Sequence, residues 1–316
     1  MRYDPLDYLY TSARIRAMES RLVGREKLNQ LLAAPTVRDV ERALKEWGAT
    51  EEQEYGLKSA FAAVSESLPD KGLLRFLQYP YDCHNLKTLE KCRIKGVDPK
   101  ELLIDLGSVS TECLLTVSEK ELFSLLPTHL AKGVEEARAA FAKTGNPQEI
   151  DFTLDRAAYA DMKEAAAPYP FAAELVRVQA ELLNLLMCLR LLRMQNGELG
   201  RSILICAALP VGDFDEAFLL SCYDGGEEAF YKQISHTPYG SVFAREQTLA
   251  DTEKKTDDYL MGLIRRARYV TFGAEVPIAY LLAAERQSKN LRMLLAGKEA
   301  GLDAQRIQAR MRESYV

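Results

Sequence analysis

The sequence predicts an all-α protein, and three observations support this class. Apolar residues recur at helical spacing along most of the chain, whereas no run of alternating residues predicts a β-strand. The longest segments are rich in Ala, Leu, Glu and Arg, which lose little conformational freedom in a helix. Prolines fall between or at the start of these segments, where they punctuate the helices: Pro35, Pro69, Pro80, Pro127, Pro147, Pro168, Pro170, Pro210, Pro238 and Pro277.

The predicted helices can be followed in order along the chain. The first covers residues 7–23 and carries a stripe formed by Tyr8, Leu9, Ser12, Ile15, Met18 and Leu22. Further helical segments are predicted at 135–143, 154–167, 171–194 and 276–298. Each has the composition of a helix that buries one face in a core.

One short pattern occurs three times. Asn85, Asn184 and Asn290 each precede a leucine inside a helical segment. Gly96 and Gly301 lie eleven residues after the first and third asparagine, where a left-handed residue is expected to end the helix. The repetition therefore predicts one structural element in three copies.

A second helix is predicted to follow each stop. Asp98 and Asp303 are suited to cap its N-terminus, and Leu102 and Ile307 are expected to begin its apolar face. In the second copy, Gly197 is the expected stop, with one or two residues inserted.

The spacing of the copies predicts the domain organisation. The asparagines are 99 and 106 residues apart, a period too long for a solenoid repeat. We expect three similar helical units, at 1–112, 113–218 and 219–316. A fainter copy near the N-terminus, with Gly24 as its stop, would let the two ends of the chain meet.

Composition and charge exclude several classes of protein. The net charge of −5 argues against nucleic-acid binding by the whole chain, and no apolar stretch is long enough to span a membrane. Residues 254–316 nevertheless contain 12 Lys/Arg and 7 Asp/Glu, which suits either an acidic partner or solvated helix faces. The cysteines form no CxxC pair, which predicts reduced core residues of an intracellular protein: Cys83, Cys92, Cys113, Cys188, Cys206 and Cys222.

The sequence contains no motif of a known catalytic or cofactor site. It lacks GxxxxGK[ST], GxGxxG, HExxH, GxSxG and DDxxD, and Gly297-Lys298-Glu299 lacks the hydroxyl that a phosphate loop supplies to magnesium. Cys83 and His84 are neighbours and would point to different helix faces. We therefore expect no catalytic residue, no cofactor, no metal and no bound nucleotide.

Two interpretations remain open for the notable polar residues. The three asparagines either contact a partner or tie neighbouring helices together, and the second interpretation is favoured because repeated residues more often maintain architecture. Several arginines are candidates for a partner interface, with solvated surface charge as the alternative: Arg14, Arg16, Arg265, Arg266 and Arg268.

Four segments together resemble one protein family. They are YLYTSARIRAMESRLVGREKLNQLLAAPTVRDVERAL, DCHNLKTLEKCRIKG, IDFTLDRAAYADM and AYLLAAERQSKNLRMLLAGKEAGLDAQRIQARMRESYV. They resemble the C subunit of archaeal and bacterial A/V-type rotary ATPases, the homologue of the d subunit of eukaryotic V-ATPases. Residues 50–80 follow the family only loosely, and Leu186 stands where the other copies carry Lys or Arg.

The resemblance implies a mechanical role. Members of that family are all-helical, with three similar domains in a pseudo-threefold funnel or socket. They sit on the cytoplasmic face of the membrane, where they link the D and F subunits of the central stalk to the proteolipid ring and transmit torque for proton or sodium transport. The alternatives are a stand-alone helical-repeat adaptor, for which the same repeat would serve, and a helical enzyme with an unrecognised site.

Overall fold

The computed structural model describes residues 3–50 and 55–316, and all regular structure within them is helical. The predicted all-α class is confirmed. None of the described helices is both long and apolar enough to cross a bilayer. The α-helices are α1 (Leu9–Glu19), α2 (Arg25–Ala33), α3 (Val37–Glu46), α4 (Leu57–Ser67), α5 (Arg75–Lys95), α6 (Thr111–Lys120), α7 (Thr128–Thr144), α8 (Gln148–Ala166), α9 (Pro170–Met194), α10 (Gly197–Ala207), α11 (Glu216–Asp224), α12 (Gly226–Ile234), α13 (Leu249–Arg265), α14 (Glu275–Glu299) and α15 (Ala304–Arg310).

The chain forms two compact units. Unit 1 combines the residues up to Lys71 with residues 250–316, and unit 2 comprises residues 72–249. In unit 1 the N-terminal and C-terminal segments share one core, in which Leu31 and Leu44 pack with Leu291, Leu294 and Ile307. The two ends of the chain therefore meet, as the faint N-terminal copy suggested.

The core of unit 2 joins residues from several of its helices. Leu86 of α5 packs there with Leu130 of α7 and Leu154 of α8. Helix α8 runs antiparallel to α5. Lys91, near the end of α5, binds Asp151, near the start of α8. Cys83, two turns earlier on α5, binds the carbonyl of Leu154, which comes later on α8.

Local side chains explain where several helices begin. Thr36, Ser110, Asp215 and Asp303 are the N-cap residues of α3, α6, α11 and α15. Each accepts a hydrogen bond from the main-chain N–H three residues later, which satisfies a donor that the helix itself leaves unpaired. Of these, Asp303 is the cap that the repeat predicts.

Three expectations about local structure are wrong. Pro80 lies inside α5 rather than at a boundary, although it lacks an N–H donor for the helix. Phe76 and Tyr79, in the turn before it, are buried, and their packing favours a helix that continues past the proline. Gly24 is the N-cap of α2, not the stop of a preceding helix, because α1 already ends at Glu19. Leu9, assigned to the buried stripe of the first helix, is exposed.

The burial of the cysteines was only partly predicted. Cys83, Cys92, Cys188 and Cys222 are buried, as expected of core residues, and all the cysteines are unpaired thiols. Cys113 is partly exposed and Cys206 is exposed.

The positions at which the first two predicted repeats end, 112 and 218, lie within α6 and α11. The three-repeat division remains a prediction.

Candidate functional site

The three repeated asparagines make the same pair of hydrogen bonds, which we call a clasp. Asn85 donates through Nδ2 to the carbonyl of Ile104 and accepts from its N–H, both at 2.8 Å. Asn184 forms this pair with Leu209 at 3.1 and 2.8 Å. Asn290 forms it with Arg312 at 2.9 and 3.1 Å.

Burial decides between the two interpretations of these asparagines. Their side chains are at most 1% exposed, so the amides cannot reach a partner protein. Each amide instead binds the N–H and the carbonyl of one residue further along the chain. That residue lies in the segment that packs back against the long helix after the next turn or helix. A clasp thus fixes that segment to the middle of a long helix, α5, α9 or α14.

A second buried polar residue lies one helical turn before each of the first two clasps. Asp82 accepts from the N–H groups of Ser108 and Val109 at 3.0 and 3.2 Å, and Glu181 accepts from that of Asp213 at 2.7 Å. Burial raises the pKa of Asp82, and the hydrogen bonds from Ser108 and Val109 oppose that rise.

In the third copy this position is Gln287. Its amide accepts from the N–H of Val23 at 2.7 Å and donates to the carbonyl of Tyr55 at 2.9 Å. The third long helix therefore binds the N-terminal segment of unit 1 where the first two copies bind their own downstream loops.

Each of the three long helices is followed by a left-handed residue. Gly96, Gln195 and Gly301 have φ angles of 66°, 53° and 70° and lie eleven residues after their asparagines. Gly197 was therefore the wrong stop for the second copy: it also has positive φ, but it begins α10. The spacing is the same in all copies, with no inserted residue before the stop. In the first and third, the N–H of Val97 or Leu302 bonds five residues back, as in a Schellman turn.

The helix after the stop differs between copies. Residues 100–102 form only a 3₁₀ turn, Asp98 binds the N–H of Lys100 without capping an α-helix, and Leu102 is exposed. The predicted second helix of the first copy is therefore wrong. In the third copy Ile307 is buried against Gly297, where an added Cβ would lie 2.7 Å from its Cγ1. Close contact between α14 and α15 requires a glycine there.

The candidate interface arginines mostly bind within unit 1. Arg14 pairs with Glu66 at 2.9 Å, and Arg16 donates to the carbonyls of Ala267 and Val270 at 2.6 Å each. Arg265 binds the carbonyl of Ser314 and pairs with Glu313. Arg266 and Arg268 are exposed, and Nη1 of Arg268 lies 3.5 Å from the carbonyl of Tyr315. Their role at an interface remains a prediction.

The last residues of the chain are fastened to unit 1 by several groups. Nε of Arg312 binds Asp257 at 2.9 Å, and the N–H of Glu313 binds Asp258 at 2.8 Å. Tyr315 is buried and its hydroxyl donates to Glu19 at 3.2 Å. Burial opposes ionisation of Asp257, but the guanidinium groups of Arg286 and Arg312 outweigh it and lower its pKa.

The buried tyrosine gives unit 1 a specific sensitivity to alkali. Burial, together with the negative charge of Glu19, raises the pKa of Tyr315 to about 12. Because the unfolded chain releases this proton near pH 10, the contribution to stability is complete below about pH 10 and is lost as the pH rises through the folded pKa. We expect urea unfolding between about pH 9 and 11.5 to show a smaller loss of stability in Tyr315→Phe than in the wild type. An equal fall of the free energy of unfolding with pH in the two proteins would contradict this assignment, because all other tyrosines are common to both.

Unit 2 contains a groove of about 480 Å³ between α5, α8 and α9. Tyr159, Met162 and Leu186 contribute apolar surface to it, and Lys87 binds Asp155 in its wall at 2.6 Å. Cys83 also lines it, but burial raises the pKa of this thiol, so the nucleophilic thiolate is disfavoured. The lining of the groove is thus mainly apolar, with one ion pair in its wall.

One cluster among the described residues has the composition of a metal site. Ligand atoms of His129, Asp161 and Glu164 lie within 4.8 Å of one another. Asp161, however, accepts from the N–H groups of His129 and Leu130 at 3.0 and 2.8 Å, and His129 Nε2 lies 2.8 Å from Glu164. Asp161 thus caps α7, whose N-cap Pro127 provides no side-chain bond. These contacts account for the cluster as part of the fold.

Comparison with known proteins identifies the family. A model of the ATP synthase (C/AC39) subunit family matches residues 11–310. The chain belongs to the ATP synthase (C/AC39) subunit family. It is 25% identical to the C subunit of the V-type sodium ATPase of Enterococcus hirae, over 98% of this chain and 99% of that protein. It is 22% and 24% identical to the C subunits of the A-type ATP synthases of Thermococcus gammatolerans and Desulfurococcus sp., over 97% of this chain and 90% of each.

The resemblance seen in the sequence is thereby confirmed: the chain is a rotary ATPase subunit of the C/AC39 type. Sequence reasoning missed the polar residue one turn before each asparagine, although Asp82, Glu181 and Gln287 repeat at the same spacing. It also gave no sign that Tyr269 is 91% exposed, because a pattern of residue types does not show which aromatic ring lies in solvent. The attachment of residues 312–315 to the rest of unit 1 in this C/AC39 protein was not predicted either.

Proposed function

We propose that this chain is the non-catalytic rotor component that joins the D and F subunits of the central stalk to the proteolipid ring of a rotary ATPase. It lies on the cytoplasmic face of the membrane, without a transmembrane segment of its own, and transmits torque for ATP-coupled proton or sodium transport. Nucleotide binding belongs to other subunits. The family match over residues 11–310 carries the proposal.

The internal structure suits a torque-bearing part. A coupling must transmit force without bending, and densely packed helices resist deformation. The clasps of Asn85, Asn184 and Asn290 add fixed points at the middle of the three long helices. As part of the proposal, the three repeats at 1–112, 113–218 and 219–316 are similar units that share the load.

Co-purification tests this proposal directly. The full chain is mixed with the purified D and F subunits and with the detergent-solubilised ring, separately and together. We expect it to bind both and to bridge them, and to hydrolyse no ATP on its own. A chain that bridges nothing supports a stand-alone adaptor instead, and intrinsic ATP turnover would favour an enzyme.

A further inference from the structure

A short turn in unit 1 holds an aromatic ring in solvent. The turn is formed by Arg266–Tyr269, a 3₁₀ segment between α13 and α14. The side chain of Tyr269 is 91% exposed, and the neighbouring Arg266 and Arg268 are also exposed. Tyrosine and arginine are among the residue types that most often dominate the energy of protein interfaces.

This turn is fixed to α1 by hydrogen bonds. Arg16 donates to the carbonyls of Ala267 and Val270, one on each side of the exposed Arg268 and Tyr269, at 2.6 Å. The N–H of Gly273 donates to Oγ of Ser12 at 3.2 Å. The exposed ring is thus carried on an ordered segment, so binding would cost little conformational entropy.

The outer face of α1 borders the turn and is apolar. Leu9, Tyr10, Ala13 and Ala17 are exposed on it, although most of the rest of α1 is buried or partly buried. Ser12 and Arg16, which hold the turn, lie one helical turn after Leu9 and Ala13. The turn therefore lies beside this face, on the side of Leu9 and Ala13, and we call the face and the turn together the α1 surface.

Spacing and shape on this surface suit a second helix. Tyr10, Ala13 and Ala17 follow one another at intervals of three and four residues, the a/d spacing by which two helices pack side by side. The small alanines allow the axis of another helix to come close. Leu6, in the turn that precedes α1, extends the apolar row and is 58% exposed.

Charge indicates the chemistry of the partner. No Asp or Glu occurs between Tyr259 and Ala274; Arg265 in this segment pairs with Glu313, whereas Arg266 and Arg268 are exposed. A complementary helix would carry acidic side chains beside its apolar row. Asp4 and Asp7, exposed at the N-terminal end of the surface, disfavour an anionic bilayer as the occupant.

We propose that the α1 surface binds an α-helix of the stalk subunits, with an apolar row against Tyr10, Ala13 and Ala17 and acidic groups beside Arg266 and Arg268. Tyr269 packs against that helix as the central aromatic contact. The proposal rests on the proposed function and deepens it, since it names the surface and the chemistry of the stalk segment. Arg16 acts as a positioning residue that holds the turn.

Binding of full-length variants to the immobilised D–F pair tests the surface. We expect Tyr269→Ala and Tyr10→Ser to weaken binding by about tenfold or more, because the first removes the central aromatic contact and the second removes the aromatic member of the apolar row. Arg266→Gln combined with Arg268→Gln should slow association and make it less sensitive to salt. Two matched controls remove an exposed arginine and an exposed apolar side chain elsewhere, Arg42→Gln and Leu199→Ala, and should bind like the wild type. Circular dichroism verifies that each variant is folded.

The outcomes separate the two proposals. If the wild type binds the D–F pair and the surface variants bind equally well, the α1 surface is wrong and the coupling role stands. If the wild type binds neither the D–F pair nor the ring, both proposals fall. A third outcome is that the surface variants keep full binding to the D–F pair but lose binding to anionic phospholipid vesicles, to the ring, or to a second copy of this chain as measured by sedimentation. Any of these results would also overturn the assignment of a stalk helix.

Discussion

Replacing Asn184 with alanine should lower the free energy of unfolding by about 2–4 kcal/mol, although the change removes only a few atoms. The amide is 1% exposed and is bound to both main-chain polar groups of Leu209. Without it, a buried N–H and a buried carbonyl lose their partner, and water cannot easily replace the amide. Urea unfolding followed by circular dichroism measures the change.

Asn184→Asp distinguishes the clasp from simple packing. The carboxylate has nearly the shape of the amide and still accepts from the N–H of Leu209, but it faces the carbonyl of Leu209 without a proton to donate. Burial and this carbonyl raise the pKa of the new carboxyl in the folded state. We therefore expect the variant to be closest to the wild type near pH 4 and to lose relative stability as the pH rises toward 7.

Asn196→Ala is the matched control for this residue type. Asn196 is the N-cap of α10 but makes no side-chain capping bond there, so its replacement should change stability by less than about 0.5 kcal/mol. Two results would contradict the clasp: an Asn184→Ala variant as stable as this control, or an Asn184→Asp variant whose relative stability does not depend on pH.

The elements that could be predicted from the sequence are those encoded by local and repeated patterns. Helical periodicity predicts the all-α class, because burial of one face depends on residues three and four apart. Gly96 and Gly301 were identified as stops, since glycine is the usual residue in left-handed backbone. Gln195 occupies the same conformation and was missed, because glutamine is uncommon there and only its position in the repeat indicates it.

What could not be predicted depends on contacts between residues far apart in the chain. Arg16 is a plausible surface charge by sequence, yet it binds carbonyls more than 250 residues later, at Ala267 and Val270. Asp98 is of a residue type that often caps the N-terminus of a helix, but the segment after it makes only a 3₁₀ turn. Exposure of Tyr269 likewise follows from the path of the turn rather than from any local signal.

Deleting residues 312–316 should destabilise unit 1 by about 4–6 kcal/mol, more than the loss of one clasp asparagine. The deletion removes both main-chain partners of Asn290 and one of the two guanidinium groups that bind Asp257. It also removes the buried ring of Tyr315 and thus leaves a cavity beside Glu19.

Hydrogen exchange measured by mass spectrometry resolves where this effect lies. Peptides of α1, α13 and α14 should lose protection in the deletion variant, whereas α7 and α8 of unit 2 should keep theirs. Tyr315→Ala should show the same regional pattern at about 3–5 kcal/mol, because it creates the cavity but leaves the Asn290 clasp intact. Glu313→Gln is the mild control, since that carboxylate is half exposed and pairs only at the surface.

The regional pattern of protection distinguishes two roles for this end of the chain. If the deletion loosened both units equally, the C-terminal segment would be a general contributor to folding and the Asn290 clasp would have no local role. If it loosened only unit 1, the same segment would hold α1 against α13 and α14. The α1 surface would then lose its geometry together with the clasp, and binding to the D–F pair should fall in the deletion variant even where Tyr269, Arg266 and Arg268 are all retained.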